Sequence, residues 1–199
     1  MRSYCPETNV KHTTRAGKLW HAINLRCKPG GAWQKKDPCY IGCRNTFKDF
    51  QSFVDWCQLQ PGYLEREENG NFWSLDKDLK GGISEYGTST CMFVPNRVNG
   101  LLVGLKVANH LGMLGTTVYK GDRWRGQGKD WTGRKVHLGV FHSEREAHRA
   151  WQRNKLQAIQ DFCENDLQVQ QYHNIVQALS NWAKDIESDI LNDKETRYA

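Results

Sequence analysis

The chain has 199 residues, with 28 Lys and Arg against 22 Asp and Glu, for a net charge of +6. That length allows one or two domains, and eight Trp within a 38% hydrophobic composition exclude a disordered chain. No run of about 18 apolar residues is present, which excludes a helical membrane span, and the polar residues 1–12 predict no secretory signal.

The charge is uneven. Residues 161–199 carry a net −5 and residues 1–160 carry +11. A body this basic predicts a polyanionic partner. Seven Cys at irregular spacings, with no signal before them, predict reduced thiols and a cytoplasmic setting. Cys27, Cys39, Cys43 and Cys91 are the set from which a structural zinc site would be drawn, although no C-x-x-C pair supports it.

In chain order, residues 13–27 predict a first helix with Leu19, Ile23 and Leu25 on its apolar side, ended by Lys28-Pro29-Gly30-Gly31. Residues 33–44 read as a loop around Pro38 and Gly42. A second helix is predicted over 47–59, where Phe47, Phe50, Phe53, Val54 and Cys57 recur at helical spacing. Thr46 is its expected cap and Pro61-Gly62 its stop. Asn69-Gly70 marks a turn, and 72–75 alternates into a strand. Lys80-Gly81-Gly82 turns the chain back, 91–94 forms a second strand, and Pro95 suits the first turn of a helix.

Residues 101–114, with Gly104 and Gly112, predict a linker. Short strands are expected at 116–119, 123–125 and 135–141. Ser143-Glu144-Arg145-Glu146 is a capping box opening a helix over 144–163. A last helix, 167–191, carries a stripe of Tyr172, Ile175, Val176, Leu179, Trp182, Ile186 and Ile190. That stripe suits burial on the body or on a second copy in a homodimer.

Two constellations carry chemistry. In the first, Asp76 and Asp78 stand i, i+2 on a predicted strand, which directs both to one face. Hard carboxylate oxygens suit Mg2+ or Mn2+. A cation there neutralises a phosphodiester for hydrolysis. Asn99 on the following helix completes the candidate ligand set, and Arg97 and Lys77 are candidates to hold phosphate. The competing reading is a solvated turn with scattered charges.

The second constellation is Arg123, Trp124, Arg125, Lys129, Trp131, Arg134 and Lys135. Bases interleaved with Trp on strands suit double-stranded DNA, with cations on phosphates and base edges. Residues 116–155 hold ten bases against four acids. The competing reading places the Trp rings in a core. His137, His142 and His148 read as surface or phosphate-proximal groups. No nucleophile elbow, phosphate loop or dinucleotide glycine pattern is present, which argues against esterase, nucleotidase and dehydrogenase classes.

These residues resemble the HNH-type homing endonucleases of tailed bacteriophages. Trp20 to Arg26-Cys27, then Pro38-Cys39-Tyr40-Ile41-Gly42-Cys43, then Phe47, Phe50, Phe53 and Trp56 are similar to that family's order. Leu75-Asp76-Lys77-Asp78, Tyr86, Thr90-Cys91-Met92-Phe93-Val94-Pro95 and Asn99 follow its signature. Downstream, Leu138-Gly139-Val140-Phe141 and Glu144-Arg145-Glu146-Ala147-His148-Arg149-Ala150-Trp151 resemble the apetala-type (ethylene-response) DNA-binding domain that such endonucleases often carry. The resemblance implies an α+β fold: N-terminal helices with a ββα-metal nuclease-like unit (1–104), a three-stranded antiparallel sheet braced by a helix (105–165), and an acidic amphipathic C-terminal helix (166–199).

It further implies a Mg2+- or Mn2+-dependent DNA endonuclease, of homing or nicking type, acting in the host cytoplasm. The sheet would read the major groove and the helix would brace it. The His that names the family is absent from the corner. Water activation would then fall to Asp76, Asp78 or metal-bound hydroxide. The alternatives are a DNA-binding regulator without cleavage, or a protein that inhibits a host factor through its acidic tail.

Overall fold

A computed structural model describes residues 14–81, 84–102 and 112–196. The chain mixes helices with short strands and divides into two compact units, Met1–Pro95 and Asn96–Ala199.

The first unit opens with α1 (Arg15–Cys27), whose cap is Thr14, its hydroxyl accepting from the Gly17 N–H at 3.0 Å. Ala16, Gly17, Trp20 and Ile23 form its buried side. Leu25, expected there, is exposed, because the i, i+3, i+4 row through Trp20 runs on the other side of the helix. The expected loop over 33–44 contains α2 (Ala32–Lys36) and a single 3-10 turn, Pro38–Tyr40.

Next come β1 (Arg44–Asn45) and α3 (Phe50–Leu59). This helix starts three residues later than its apolar spacing suggested. The Asp49 carboxylate caps it, accepting from the Ser52 N–H at 2.7 Å. Thr46 is instead bonded to Glu85 Oε1 and to the Tyr86 carbonyl. Phe47 stays buried outside the helix, 4.9 Å from the Phe53 ring centroid and 5.1 Å from that of Trp56.

Two small sheets complete this unit. β1 pairs in parallel with β3 (Glu85–Tyr86), and β2 (Ser74–Asp76) pairs antiparallel with β4 (Met92–Val94), with Leu75 opposite Phe93 and Asp76 opposite Met92. Phe72 lies before the strand, making only an isolated bridge with Arg66. The core is aromatic: Trp20, Phe47, Phe53, Trp73, Tyr86 and Phe93 are all buried.

The second unit begins with α4 (Asn96–Leu102) and contains an antiparallel sheet in the order β5 (Thr116–Tyr119), β6 (Arg123–Lys129), β7 (Lys135–Phe141). The linker expected over 101–114 falls largely outside the described residues. α5 (Glu144–Asn165) packs on the sheet and buries Ala147, Trp151, Ala158, Ile159 and Phe162. Its capping box is formed by Ser143 and Glu146.

The helix expected over 167–191 is broken. Asp166 ends α5 and caps α6 (Leu167–Gln170), and α7 (His173–Leu191) follows after Tyr172. α7 packs along α5 within this unit and buries Ile175, Ala178, Leu179 and Ile186. Among the described residues no helix is long and apolar enough to cross a membrane.

Candidate functional site

β6 has two unlike faces because its side chains alternate. A Cβ added at Gly126 would lie 3.3 Å from the Ala147 carbonyl of α5, and one at Gly128 would lie 1.9 Å from Asn154 Oδ1. The face bearing these glycines therefore meets the helix, and their lack of a side chain is what lets the helix approach so closely. Arg123, Arg125 and Gln127 alternate onto the opposite face. Across the ladder, Thr117 and Val140 flank Arg125, Tyr119 pairs with Arg123, His137 with Gln127, and Lys135 with Lys129.

The sheet is also bent. Gly126 pairs with Gly139 while Gln127 pairs with His137, which leaves Leu138 as an extra residue in β7. Gly139 takes φ +124° there, a value that only glycine adopts readily. The bulge keeps Leu138 under the helix and His137 on the open side.

The open face is cationic and lightly committed. The side chains of Arg123, Arg134 and Lys135 are exposed and make no hydrogen bond or ion pair among the described residues. Arg125 lies 4.7 Å from the Tyr119 ring centroid, a contact that orients a guanidinium without using its donors. The 130–134 hairpin is held by Asp130, whose Oδ1 accepts from the Thr132 N–H, the Thr132 hydroxyl and the Arg134 N–H. These bonds, the Thr132 hydroxyl foremost, hold its carboxyl below the ordinary range.

Three of the expected DNA contacts lie elsewhere. Trp124 shares the helix-side face with Gly126 and pairs with Phe141; strand alternation puts it opposite Arg123 and Arg125. Trp131 sits half-buried in the hairpin turn. Lys129 extends to the carbonyl of Gly100 in α4 at 3.4 Å. It is joined there by Lys155 of α5, fully buried and donating to the Leu101 carbonyl at 2.6 Å. Two ammonium groups at a helix C-terminus match its partial negative charge. Burial, then the neighbouring Lys129, pushes Lys155 down to about 8.

The acidic corner differs from its expected geometry. β2 ends at Asp76, so Asp78 lies in the following turn and the i, i+2 rule of a strand does not reach it. Asp76 is buried, and its Oδ1 accepts from the N–H of Asp78 at 2.9 Å and of Leu79 at 2.7 Å. It thereby shapes the turn as an Asx motif. Lys77, a candidate for phosphate, is buried, with Nζ on Asp78 Oδ1 at 2.5 Å and 5.8 Å from the Tyr86 ring centroid.

Arg97 is also redirected. It forms a bidentate pair with Asp166 and donates to Gln168 Oε1, so it ties α4 to the α5–α6 junction rather than standing ready for phosphate. Burial raises the Asp166 carboxyl, but Arg97 and the Val169 N–H more than offset this and hold it below the ordinary range. Asn99 is half-buried on α4, in the second unit, whereas Asp76 and Asp78 belong to the first.

Two carboxylates within three residues suit a hard divalent ion, and the Lys77 ammonium on Asp78 already marks a position for positive charge. Among the described residues no group of three or more His, Cys, Asp or Glu is placed to hold a metal ion. The four cysteines considered for zinc are accordingly not gathered into one ligand set. Burial pushes Cys27 and Cys91 each up to about 11.

Sequence reading missed Tyr119 and Gln127 on the open face, while His137, read there as a surface or phosphate-proximal group, is exposed on it. Period-2 counting outward from Arg125 was the signal that finds them. No family model matches this chain, and no curated protein or solved structure matches it.

Proposed function

We propose that this protein binds duplex DNA through the open face of β5–β7 and hydrolyses a phosphodiester at the Asp76–Asp78 corner, as a metal-dependent endonuclease of the phage HNH type. The observation that carries this reading is the ladder Tyr119, Arg123, Arg125, Gln127, Lys135 and His137 on one uncovered sheet face. Its width suits a major groove, which admits a β-ribbon. Arg125 and Gln127 sit i, i+2 and present donors suited to guanine and adenine edges; Arg123 and Lys135 suit phosphates.

Supporting the nuclease half are the pairing of β2 with β4, with β3 between them in sequence and α4 following, and the similarity of the 75–99 motifs to that family. Asp76 and Asp78 would hold Mg2+ or Mn2+. The cation would supply charge neutralisation at the scissile phosphate and a more acidic water. Asp76 is pre-oriented by two backbone N–H groups. Lys77 pairs with Asp78 and is a protein cation at the corner for phosphate. Arg97 has no phosphate role in this reading.

A second reading, DNA binding without cleavage, is favoured by the engagement of both carboxylates within the corner itself. Supercoiled plasmid incubated with Mg2+ or Mn2+ separates the two. Under the first reading the parent protein nicks, while Asp76→Asn and Asp78→Asn bind DNA but do not. Binding without nicking by the parent protein, with either metal, establishes the second.

A further inference from the structure

The first unit carries a basic and aromatic patch that neither the corner nor the sheet absorbs. Residues 26–44 hold five bases, Arg26, Lys28, Lys35, Lys36 and Arg44, against one acid, Asp37. Four of the five are exposed, and Arg26 is half-buried. Asp37 is turned inward, its Oδ1 accepting from the Cys39 N–H at 3.1 Å. Arg44 lies 3.9 Å from Glu85, while no acid pairs with Lys28, Lys35 or Lys36 among the described residues.

Within this charge sits Trp33, 39% exposed on a helix of only five residues. Tyr40 meets its ring edge-on at 6.3 Å, and Lys36 Nζ lies 5.6 Å from its centroid. The Arg26 guanidinium lies 5.8 Å from the Trp33 centroid and 5.4 Å from that of Tyr40. Gln34 fixes the loop from beneath, donating to the carbonyls of Arg26 and Tyr40 and accepting from the Gly30 N–H. A large, half-exposed aromatic among unpaired cations, on a braced loop, has the chemistry of a phosphate–sugar contact: ammonium groups on phosphates and a ring against deoxyribose.

Side-chain contacts link this patch to the corner. Asp78 binds Lys77, whose Nζ lies 5.8 Å from the Tyr86 ring; the Tyr86 hydroxyl accepts from Arg26 Nη1 at 3.2 Å; Arg26 then borders Trp33 and Tyr40. We infer that Trp33, Tyr40, Lys35 and Lys36 form a second DNA contact, which takes the backbone of a duplex beside the acidic corner and positions it there. Arg26 is a positioning residue, coupling the shelf to Tyr86 and Lys77. This inference rests on the DNA reading above, and it assigns a substrate-holding role to a segment outside both the corner and the sheet.

The test uses the full chain, a fluorescein-labelled 30-base-pair duplex and anisotropy across a salt series. The probe's sequence is arbitrary, because phosphate contacts are sequence-independent. Lys35→Ala/Lys36→Ala, both on exposed positions, is expected to weaken binding about tenfold and to reduce the slope of log K against log salt by about 2. Trp33→Ala is expected to weaken binding with little change of slope. Arg125→Ala is measured in parallel as the sheet's own variant.

If the lysine variant keeps the parent's affinity and slope while Arg125→Ala loses affinity, the shelf is overturned and the DNA reading stands. If the parent does not bind the duplex at all, the DNA reading itself fails. If the lysine and Trp33 variants weaken binding of a single-stranded 30-mer and leave the duplex unchanged, the duplex assignment of this shelf is overturned.

Discussion

The open face of β5–β7 and the Asp76–Asp78 corner are both charged, yet they handle charge in opposite ways. Near the sheet, Arg123, Arg134 and Lys135 make no hydrogen bond or ion pair among the described residues, and Arg125 leans on the Tyr119 ring. At the corner, Lys77 is buried against Asp78, and the Asp76 carboxylate is held by two backbone N–H groups. Exposed unpaired cations contribute little to stability; in the proposed DNA reading a polyanion completes them. Buried, paired charges hold a turn in one geometry, and removing either partner leaves the other uncompensated.

The contrast breaks most readily through the scaffold of the sheet. Gly115 precedes β5 at φ +75°, and a Cβ there would lie 2.0 Å from Trp151 Cδ1. Gly115→Ala should cost the second unit about 3 kcal/mol, from overpacking added to left-handed strain. A thermal melt should show that loss, and an unchanged melting temperature would contradict the packing described for Trp151.

Arg125→Ala should leave the melt unchanged and weaken DNA binding by about 2 kcal/mol, the scale of a lost base-edge contact. At the corner the expectation is reversed. Asp76→Ala should destabilise the first unit by about 2 kcal/mol through its lost N–H acceptors, and Asp78→Ala by more, because it leaves the buried Lys77 ammonium uncompensated. Chemical denaturation of the two variants checks that order; a smaller loss in Asp78→Ala would mean that the ion pair does not hold the turn.

The smallest expected effects come from pH. His148 Nδ1 lies 2.9 Å from the Leu114 carbonyl, and Nε2 accepts from the Thr196 N–H at 3.1 Å, so the neutral ring fits both bonds. Burial, opposed by Leu114 and by Glu195, Glu144 and Asp189, sets its pKa below 6.5 in the folded chain. A lowered folded value favours the unfolded state on protonation. The contribution is therefore complete above pH 6.5 and is lost as pH falls below it. Lys155 has the same sign: folded near 8 against 10.5 unfolded, its cost is full below pH 8 and is relieved between 8 and 10.5. Melting temperatures from pH 5 to 9.5 should rise along both stretches, and His148→Gln should flatten the acid one.

The second unit was the more legible in sequence. Its capping box, its three strands and the glycine of Leu138-Gly139-Val140-Phe141 each have a local cause that the chain states directly. The break at Gln171–Tyr172 was not legible, because no glycine or proline marks it; α6 is closed there by the Tyr172 N–H on the Val169 carbonyl at 2.8 Å. Phe47 misled for a similar reason. Its spacing matches a helix, but the Asp49 cap and the aromatic cluster place it before one. At the corner, the residue types were readable and their directions were not: two aspartates i, i+2 share a face only while the strand lasts, and this strand stops at the first. Trp124 shows the converse, since its face is decided by which side α5 covers.

Binding of a labelled duplex by the full chain, compared with an Arg123→Ala/Arg125→Ala variant across a salt series, tests the sheet assignment most directly. A steep salt dependence in the parent, with roughly 100-fold weaker binding in a variant that melts at the parent's temperature, is the expected result. Equal binding by both proteins would contradict it, and would leave the open cationic face without the partner assigned to it.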